Sequence, residues 1–111
     1  MAKALVEDWK RLAAAAHYDA KSLAGLCGFS VRQLERDFHQ HLGRTPQDWL
    51  DERRLKAAQE LLLTGQRVKV VALELGFKQV SHFCRQFKLQ TNLTPSQFAL
   101  QESNRLYVAH R

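Results

Sequence analysis

Two runs of polar side chains recur at helical spacing in this chain, and their chemistry suits hydrogen bonding to an extended polar partner. Positions i, i+3, i+4 and i+7 share one face of a helix, so each run forms a single stripe. The stripes consist of Arg32, Glu35, Arg36 and His39, and of Lys78, Ser81, His82 and Arg85. Arginine presents a planar fork of donors, whereas serine and histidine can both donate and accept. Such stripes can read a flat array of donors and acceptors.

No arrangement typical of catalysis accompanies the stripes. The sequence contains no HExxH motif, no glycine-rich phosphate loop and no nucleophile elbow, so we do not expect an enzyme. Cys27 and Cys84 lie far apart and form no CxxC pair, which argues against a zinc cluster and suits a reducing cytoplasm. His39 and His41 do not face each other on a helix. We therefore expect neither a metal nor a cofactor.

The first stripe needs a helix to hold it, and the sequence predicts that helix as the second of a pair. Asp19 and Ser30 are good N-cap residues for a short helix and for an amphipathic helix over 31–42. Gly28 breaks the chain between the two helices, and Phe29 is expected to be buried in the turn. A short helix, a turn with glycine and a second amphipathic helix are the order of a helix-turn-helix.

A long helix follows, and the sequence marks both of its ends. Thr45 is a good N-cap, and Pro46 suits the first helical position because its missing N–H costs nothing there. Gly65 supplies the residue that tolerates a left-handed closing turn. A further helix is predicted over 3–16. No run of β-branched residues alternates with polar ones for long enough to predict a strand.

The sequence on the left of the long helix is repeated on its right. The segment LAGLCGF at 23–29 corresponds to VALELGF at 71–77, displaced by 48 positions. Beyond the turn the displacement is 49, pairing Leu34, Arg36, Phe38, Thr45 and Pro46 with Phe83, Arg85, Phe87, Thr94 and Pro95. One residue is therefore inserted at the start of the second outer helix. The repeat predicts an all-α fold of about seven helices, with helix-turn-helix subdomains at 1–45 and 65–111 joined by a linker helix over 46–64.

Composition favours an anionic partner and argues against a membrane. The net charge is +6 and the pI is near 9.8, values that suit a nucleic-acid partner without requiring one. The alanine-rich opening is interrupted by charges at 7, 8, 10 and 11, so it is neither a signal peptide nor a membrane span.

These residues together resemble the DNA-binding domain of the AraC/XylS family of bacterial transcription regulators. The resemblance is carried by Arg54-Leu55-x-x-Ala58-x-x-Leu61-Leu62, Val71-Ala72-x-x-x-Gly76-Phe77, His82-Phe83-x-Arg85-x-Phe87 and Thr94-Pro95. It implies a transcription regulator in the bacterial cytoplasm, at the nucleoid, whose two recognition helices enter successive major-groove segments of double-stranded DNA. Activation is the expected mode, and the residues themselves do not distinguish it from repression. The resemblance also implies RNA polymerase as a second partner, without locating a surface for it. The chain shows no region for a small-molecule effector.

The polar residues also fit DNA recognition on their own chemistry, since arginine reads guanine and glutamine pairs with adenine. Base-reading candidates are Arg32, Gln33, Glu35, Arg36, Gln79, Ser81, His82 and Arg85. Phosphate candidates are His39, Arg44, Lys78 and Lys88. Arg36 and Arg85 are the strongest, because they occupy equivalent positions in the two copies and match base-reading positions of the family.

Two of these residues allow more than one interpretation. Glu35 could accept from a cytosine amino group, hold Arg36 or His39 in position, or be a solvated charge. His82 could contact DNA or pack at the helix edge. Because the second copy carries no acid from 78 to 101, we expect it to attract phosphates more strongly than the first. Arg67 and Lys78 stand where the family often places a capping residue, so these helix starts are expected to fray.

The alternative function is a protein-interaction module built on the same scaffold, which would bind with little salt dependence. A second choice concerns the extent of the protein: a stand-alone regulator of the MarA/SoxS type, or the DNA-binding domain of a larger regulator with a separate sensor. Length does not decide between them.

Overall fold

The computed structural model describes the backbone over 3–109 and the side chains over 8–102, and this part of the chain is helical without a strand. Seven helices follow one another: α1 (Lys3–Ala15), α2 (Ala20–Cys27), α3 (Val31–Leu42), α4 (Pro46–Leu63), α5 (Val68–Glu74), α6 (Val80–Thr91) and α7 (Pro95–Ala109). The all-α prediction with about seven helices is confirmed. Within the described range, no helix combines the length and the apolar character needed to cross a membrane.

The chain divides into two compact units, Met1–Arg54 and Leu55–Arg111, with the boundary inside α4. In α4, Leu55, Ala58 and Leu62 follow one another at helical spacing, and all three are buried. A role for α4 as a linker separate from both units stays a prediction.

The core of the first unit is a small apolar cluster closed by three aromatic rings. α1 packs against α2, and α2 packs against α3. The buried residues are Ala13, Ala16, Leu23, Ala24, Leu34, Phe38 and Leu50. Trp9, Phe38 and Trp49 contact one another edge to face, with centroid separations of 5.5 to 6.3 Å, a geometry that adds to the stabilisation from burial. These rings therefore anchor the core of the first unit.

The helix starts of the first unit are capped as predicted. The Ser22 N–H and hydroxyl both donate to the Asp19 carboxylate at 2.9 Å, and these bonds lower the pKa of Asp19. Ser30 and Gln33 form a capping box, in which the Gln33 N–H donates to Ser30 Oγ at 3.1 Å and the Ser30 N–H donates to Gln33 Oε1 at 3.0 Å. At α4, Thr45 Oγ1 accepts from the Asp48 N–H at 3.1 Å. Each cap satisfies an amide that the helix itself leaves without an acceptor.

The turn between α1 and α2 has no counterpart in the sequence predictions. His17 and Tyr18 both adopt left-handed backbone angles, with φ of 53° and 57°, a conformation that costs L-residues about 1–2 kcal/mol each. The side chain of Gln47, at the start of α4, clamps this turn. Its Oε1 accepts from the Ala20 N–H and its Nε2 donates to the Tyr18 carbonyl, each at 3.0 Å.

The second unit is built around a row of phenylalanine rings. α5 packs on α6, and α6 packs on α7. Phe77, Phe83, Phe87 and Phe98 contact one another in sequence, with centroid separations of 5.1 to 5.8 Å. At the start of α7, Thr94 and Gln97 form a reciprocal cap with bonds of 2.9 and 3.1 Å.

Two predictions about the turns are wrong. Phe29 is not buried, because 41% of its surface is exposed, whereas its equivalent Phe77 is 6% exposed. Lys78 is neither a helical residue nor the cap of α6, since α6 begins at Val80 and Gln79 occupies the N-cap. The inserted residue of the second copy thus lies in the turn and not in the helix. The predicted ends of the first and of the long helix are each one residue too late, which is ordinary fraying.

Candidate nucleic-acid interface

α3 presents a polar face opposite its buried one. Leu34 and Phe38 point into the core of the first unit, which fixes the rotation of the helix. Arg32, Arg36 and His39 are consequently exposed on the other side. Neither arginine has a hydrogen-bond or ion-pair partner within the described part of the chain. These donors are free to bind an external acceptor.

Gln33 and Glu35 differ from the arginines in what surrounds them. The Gln33 side chain is the second half of the capping box at Ser30, so reading a base would require it to leave that bond. Glu35 is exposed and has no partner among the described residues, so the structure gives it no role in holding Arg36 or His39. Base contact by either residue stays a prediction.

α6 repeats this arrangement in the second unit. Phe83 and Phe87 are buried, and Ser81, Arg85 and Lys88 are exposed on the opposite side. The two interpretations of His82 are compatible, because its ring meets Phe77 edge to face at 5.7 Å while the residue remains exposed.

The residues before α6 form a turn and do not belong to the helix. Lys78 and Gln79 are both exposed, but they lie before the first residue of α6. The backbone at Gln79 is extended, with φ −132° and ψ 134°, so neither residue keeps helical spacing to Ser81 and Arg85. The predicted i, i+3, i+4, i+7 stripe is therefore wrong at its first member. The uncapped start is confirmed for α5 at Arg67, which makes no side-chain cap bond.

Arg44 is not free in the structure. Its guanidinium forms an ion pair with Glu52 and also donates to the Asp48 carbonyl at 3.2 Å. Glu52 in turn lies 3.7 Å from Arg53. A phosphate contact by Arg44 stays a prediction, and it would have to compete with this carboxylate.

Three further residues extend the exposed faces and were not among the predicted candidates. Gln40 follows Arg36 by one turn on α3. Leu89 and Asn92 join Arg85 and Lys88 around a shallow basic hollow of about 340 Å³. Continuing the stripe from Ser81 through 85 and 88 to 92 would have found Asn92 from spacing alone.

Charge is distributed unevenly between the units. Basic residues outnumber acidic ones by nine to eight in 1–54 and by eight to three in 55–111. On α3 the charges of Arg32 and Arg36 are offset by Glu35 and Asp37, whereas α6 carries Arg85 and Lys88 without an acid. Attraction to a polyanion should therefore come mainly from the second unit.

The cysteines play no visible part in either face. Cys27 packs against the first core, where burial raises the pKa of its thiol. Cys84 is half-buried on α6. No group of three metal-binding side chains occurs among the residues that the structure describes.

Two helix-turn-helix units, each with an arginine-bearing face opposite its core, define the class of DNA-binding domains with a duplicated helix-turn-helix. The family model described as a helix-turn-helix domain matches residues 23–101. The chain belongs to the AraC-type helix-turn-helix family of transcription regulators, as the resemblance predicted.

Relatives and solved structures agree with this assignment. An uncharacterised HTH-type transcriptional regulator of Haemophilus influenzae is 39% identical over 79 residues, covering 70% of this chain and 26% of that protein. The HTH-type transcriptional activator RhaS of Enterobacter sp. is 34% identical over 76 residues, covering 68% of this chain and 27% of that protein. The chain thus spans about a quarter of the length of the curated relatives that it matches.

Among solved structures, the DNA-binding domain of the global transcriptional factor AdpA, in complex with a target DNA, has a TM-score of 0.76. It is 28% identical, and the match covers 92% of this chain and 93% of that one. An AraC-type regulator from Chromobacterium violaceum has a TM-score of 0.66 at 34% identity, with 75% of each chain covered.

Proposed function

We propose that the chain is a sequence-specific DNA-binding module of a bacterial transcription regulator, with α3 and α6 as its recognition helices. The observation that carries the proposal is the equivalence of Arg36 and Arg85. Both lie opposite a buried apolar pair, both are exposed, and neither has a partner among the described residues. A guanidinium in this position can donate two bonds to the O6 and N7 of guanine.

The AdpA domain supports the proposal, because a chain of the same fold is seen with its target DNA. Activation is the function in the name of RhaS, and we propose the same for this chain, with RNA polymerase as partner and the cytoplasmic nucleoid as location. α3 and α6 would enter successive major-groove segments. α4, at about 1.5 Å per residue, is about 27 Å long, of the order of the ~34 Å rise of one DNA turn.

Selection from a random duplex pool tests the architecture. We expect two enriched blocks about one helical turn apart, and a Gly-Gly insertion between Ala57 and Ala58 should abolish their joint enrichment while each unit keeps its fold. Enrichment of one short block alone would contradict the use of two recognition helices.

Substitution of Arg85 tests the site. Arg85→Ala should weaken binding to the selected duplex by ~1–3 kcal/mol and relax the preference at one base position, because the bidentate contact is lost. Arg11→Ala removes the same exposed side chain from α1 and serves as the charge-matched control; it should change affinity by less than about twofold. Equal behaviour of the two variants would refute the assignment of α6.

The interaction-module alternative makes a different prediction for the same measurements. A protein partner would leave binding nearly independent of salt, and neither Arg36→Ala nor Arg85→Ala would alter any preference for DNA sequence. A steep linear fall of log affinity with log salt concentration would exclude this alternative.

A further inference from the structure

The first unit contains an apolar cavity that the DNA-binding faces do not use. Its volume is about 250 Å³, and it opens beside the turn that precedes α3. The described side chains that line it are Trp9, Phe29, Asp37, Phe38, His41 and Leu42. Most of this lining is aromatic or aliphatic, and Asp37 and His41 supply its polar atoms.

The repeat provides an internal comparison for the phenylalanine that lines this cavity. Phe29 and Phe77 end equivalent turns, and their N–H groups donate to equivalent carbonyls, Ala24 at 2.9 Å and Ala72 at 3.0 Å. The ring of Phe77 nevertheless packs on Phe83 at 5.1 Å, whereas Phe29 is exposed and contacts no other ring in the described part of the chain. The helix-turn-helix scaffold therefore does not by itself require the phenylalanine at this position to be exposed.

The size of the cavity limits what it can hold. An engineered cavity of about 150 Å³ binds benzene, and sites for drug-sized ligands begin near 300 Å³. A volume of about 250 Å³ therefore suits one aromatic ring with a short chain. Trp9 and Phe38, in edge-to-face contact at 5.5 Å, offer such a ring aromatic surfaces on one side, and Phe29 can contact it from another.

The charge at the cavity determines which polar group the ligand can carry. Asp37 is exposed and makes no hydrogen bond or ion pair within the described residues. A carboxylate at the edge of an apolar slot favours a cation over a neutral group and disfavours an anion. A protonated primary amine fits, because its three donors can reach one carboxylate while its carbon skeleton stays in the slot.

We propose that this cavity binds a small aromatic amine, with its ring between Trp9, Phe29 and Phe38 and its ammonium group at Asp37. Because Asp37, Phe38, His41 and Leu42 all belong to α3, the ligand contacts the helix whose other face carries Arg32 and Arg36. If α3 shifts between two positions, ligand binding and DNA binding alter each other's affinity by the same factor. This last consequence rests on the proposed function, whereas the binding site does not.

The test uses the full chain without DNA and three probes of one shape. Binding of 2-phenylethylamine, 2-phenylethanol and 3-phenylpropionate is followed by tryptophan fluorescence and by the indole N–H signal of Trp9 in NMR spectra. We expect saturable binding of the amine on the order of millimolar, as its few atoms allow. The alcohol should bind roughly two- to fivefold more weakly, and the carboxylate more weakly still.

Substitutions then separate the two halves of the site. Asp37→Asn should remove the preference for the amine over the alcohol, whereas Asp48→Asn, which neutralises another exposed aspartate of the same unit, should leave it unchanged. Phe29→Ala should weaken the binding of the amine and of the alcohol by the same factor. If the Phe29→Ala chain lost helical content, as measured by circular dichroism, Leu42→Trp would be the second variant. This substitution fills the mouth of the cavity and should weaken the binding of all three probes.

The results overturn the proposal in any of three cases. These are signals that never saturate, equal affinity for amine and alcohol, and an amine preference that survives Asp37→Asn. Repeating the titration with the selected duplex measures the coupling to DNA. A chain that binds the amine but no DNA would refute the proposed function and leave the site intact, so the two failures are distinguishable.

Discussion

Gln47→Ala should destabilise the first unit by about 2 kcal/mol, although Gln47 lies outside the apolar core. Its side chain accepts from the Ala20 N–H and donates to the Tyr18 carbonyl, each at 3.0 Å, and donates to Asp51 Oδ1 at 2.9 Å. A typical hydrogen bond contributes about 0.5–1.5 kcal/mol net, so two lost backbone bonds total ~1–3 kcal/mol. Both backbone groups are only partly shielded, which keeps the estimate near the middle of that range.

Urea unfolding followed by tryptophan fluorescence measures this loss directly. Trp9 and Trp49, the two tryptophans of the chain, both belong to the aromatic cluster of the first unit, so the signal reports on that unit. In thermal unfolding followed by the same fluorescence, a loss of 2 kcal/mol would lower the Tm by roughly 8 °C for a domain of this size. The exposed Gln101→Ala on α7 is the matched control and should remain within about 0.5 kcal/mol of the parent chain.

Gln47→Glu distinguishes the clamp from simple loss of packing. The glutamate keeps the shape and can still accept from Ala20, but it cannot donate to Tyr18 and it places a charge beside Asp51. We expect it to be at least as unstable as Gln47→Ala. If Gln47→Glu matched the parent chain, or Gln47→Ala cost less than about 0.5 kcal/mol, the clamp would contribute nothing to stability.

Three further substitutions test the strained turn and the charged faces. His17→Gly should raise the free energy of unfolding by about 0.5–1 kcal/mol, because glycine adopts the positive φ at lower cost. Glu52→Gln should raise DNA affinity about two- to fivefold at low salt by releasing Arg44 from its ion pair, and the gain should vanish at high salt. Lys88→Ala should weaken binding to selected and to random duplexes alike and reduce the slope of log affinity against log salt by about one.

Each of these has a defined counter-result. Ala14→Gly, on the exposed side of α1, should destabilise by about 1 kcal/mol, so a loss of the same size at His17 would mean that the turn is not strained. Glu60→Gln removes an equal charge from α4 without touching Arg44, so equal gains from Glu60 and Glu52 would indicate general repulsion. A loss confined to the selected duplex would make Lys88 a base contact instead of a phosphate contact.

The starts of α2, α3 and α4 were predictable because their causes are local. Asp19, Ser30 and Thr45 each accept from an amide three residues along the chain, and a bond of that span is visible in the sequence. The exposed faces of α3 and α6 follow from the same kind of reasoning, because burial of one side at helical spacing determines the other.

The remaining features depend on residues far apart in sequence. The left-handed pair His17 and Tyr18 contains no glycine, and the side chain that clamps it is 27 to 29 positions away. The two turns are equivalent in sequence, so the sequence does not show that Phe77 is buried and Phe29 exposed. The difference arises in packing.

The single extra residue at Lys78 has a genetic consequence. Turns tolerate insertions better than helices do, because few buried contacts cross them. In this chain a difference of one codon in a turn accompanies an exposed phenylalanine, Phe29, in one copy and a buried one, Phe77, in the other. Two copies of one unit can thus differ beside the turn while their polar helices keep equivalent places in the sequence. The residues around the cavity differ as well, since Asp37, His41 and Leu42 correspond to Gln86, Gln90 and Thr91.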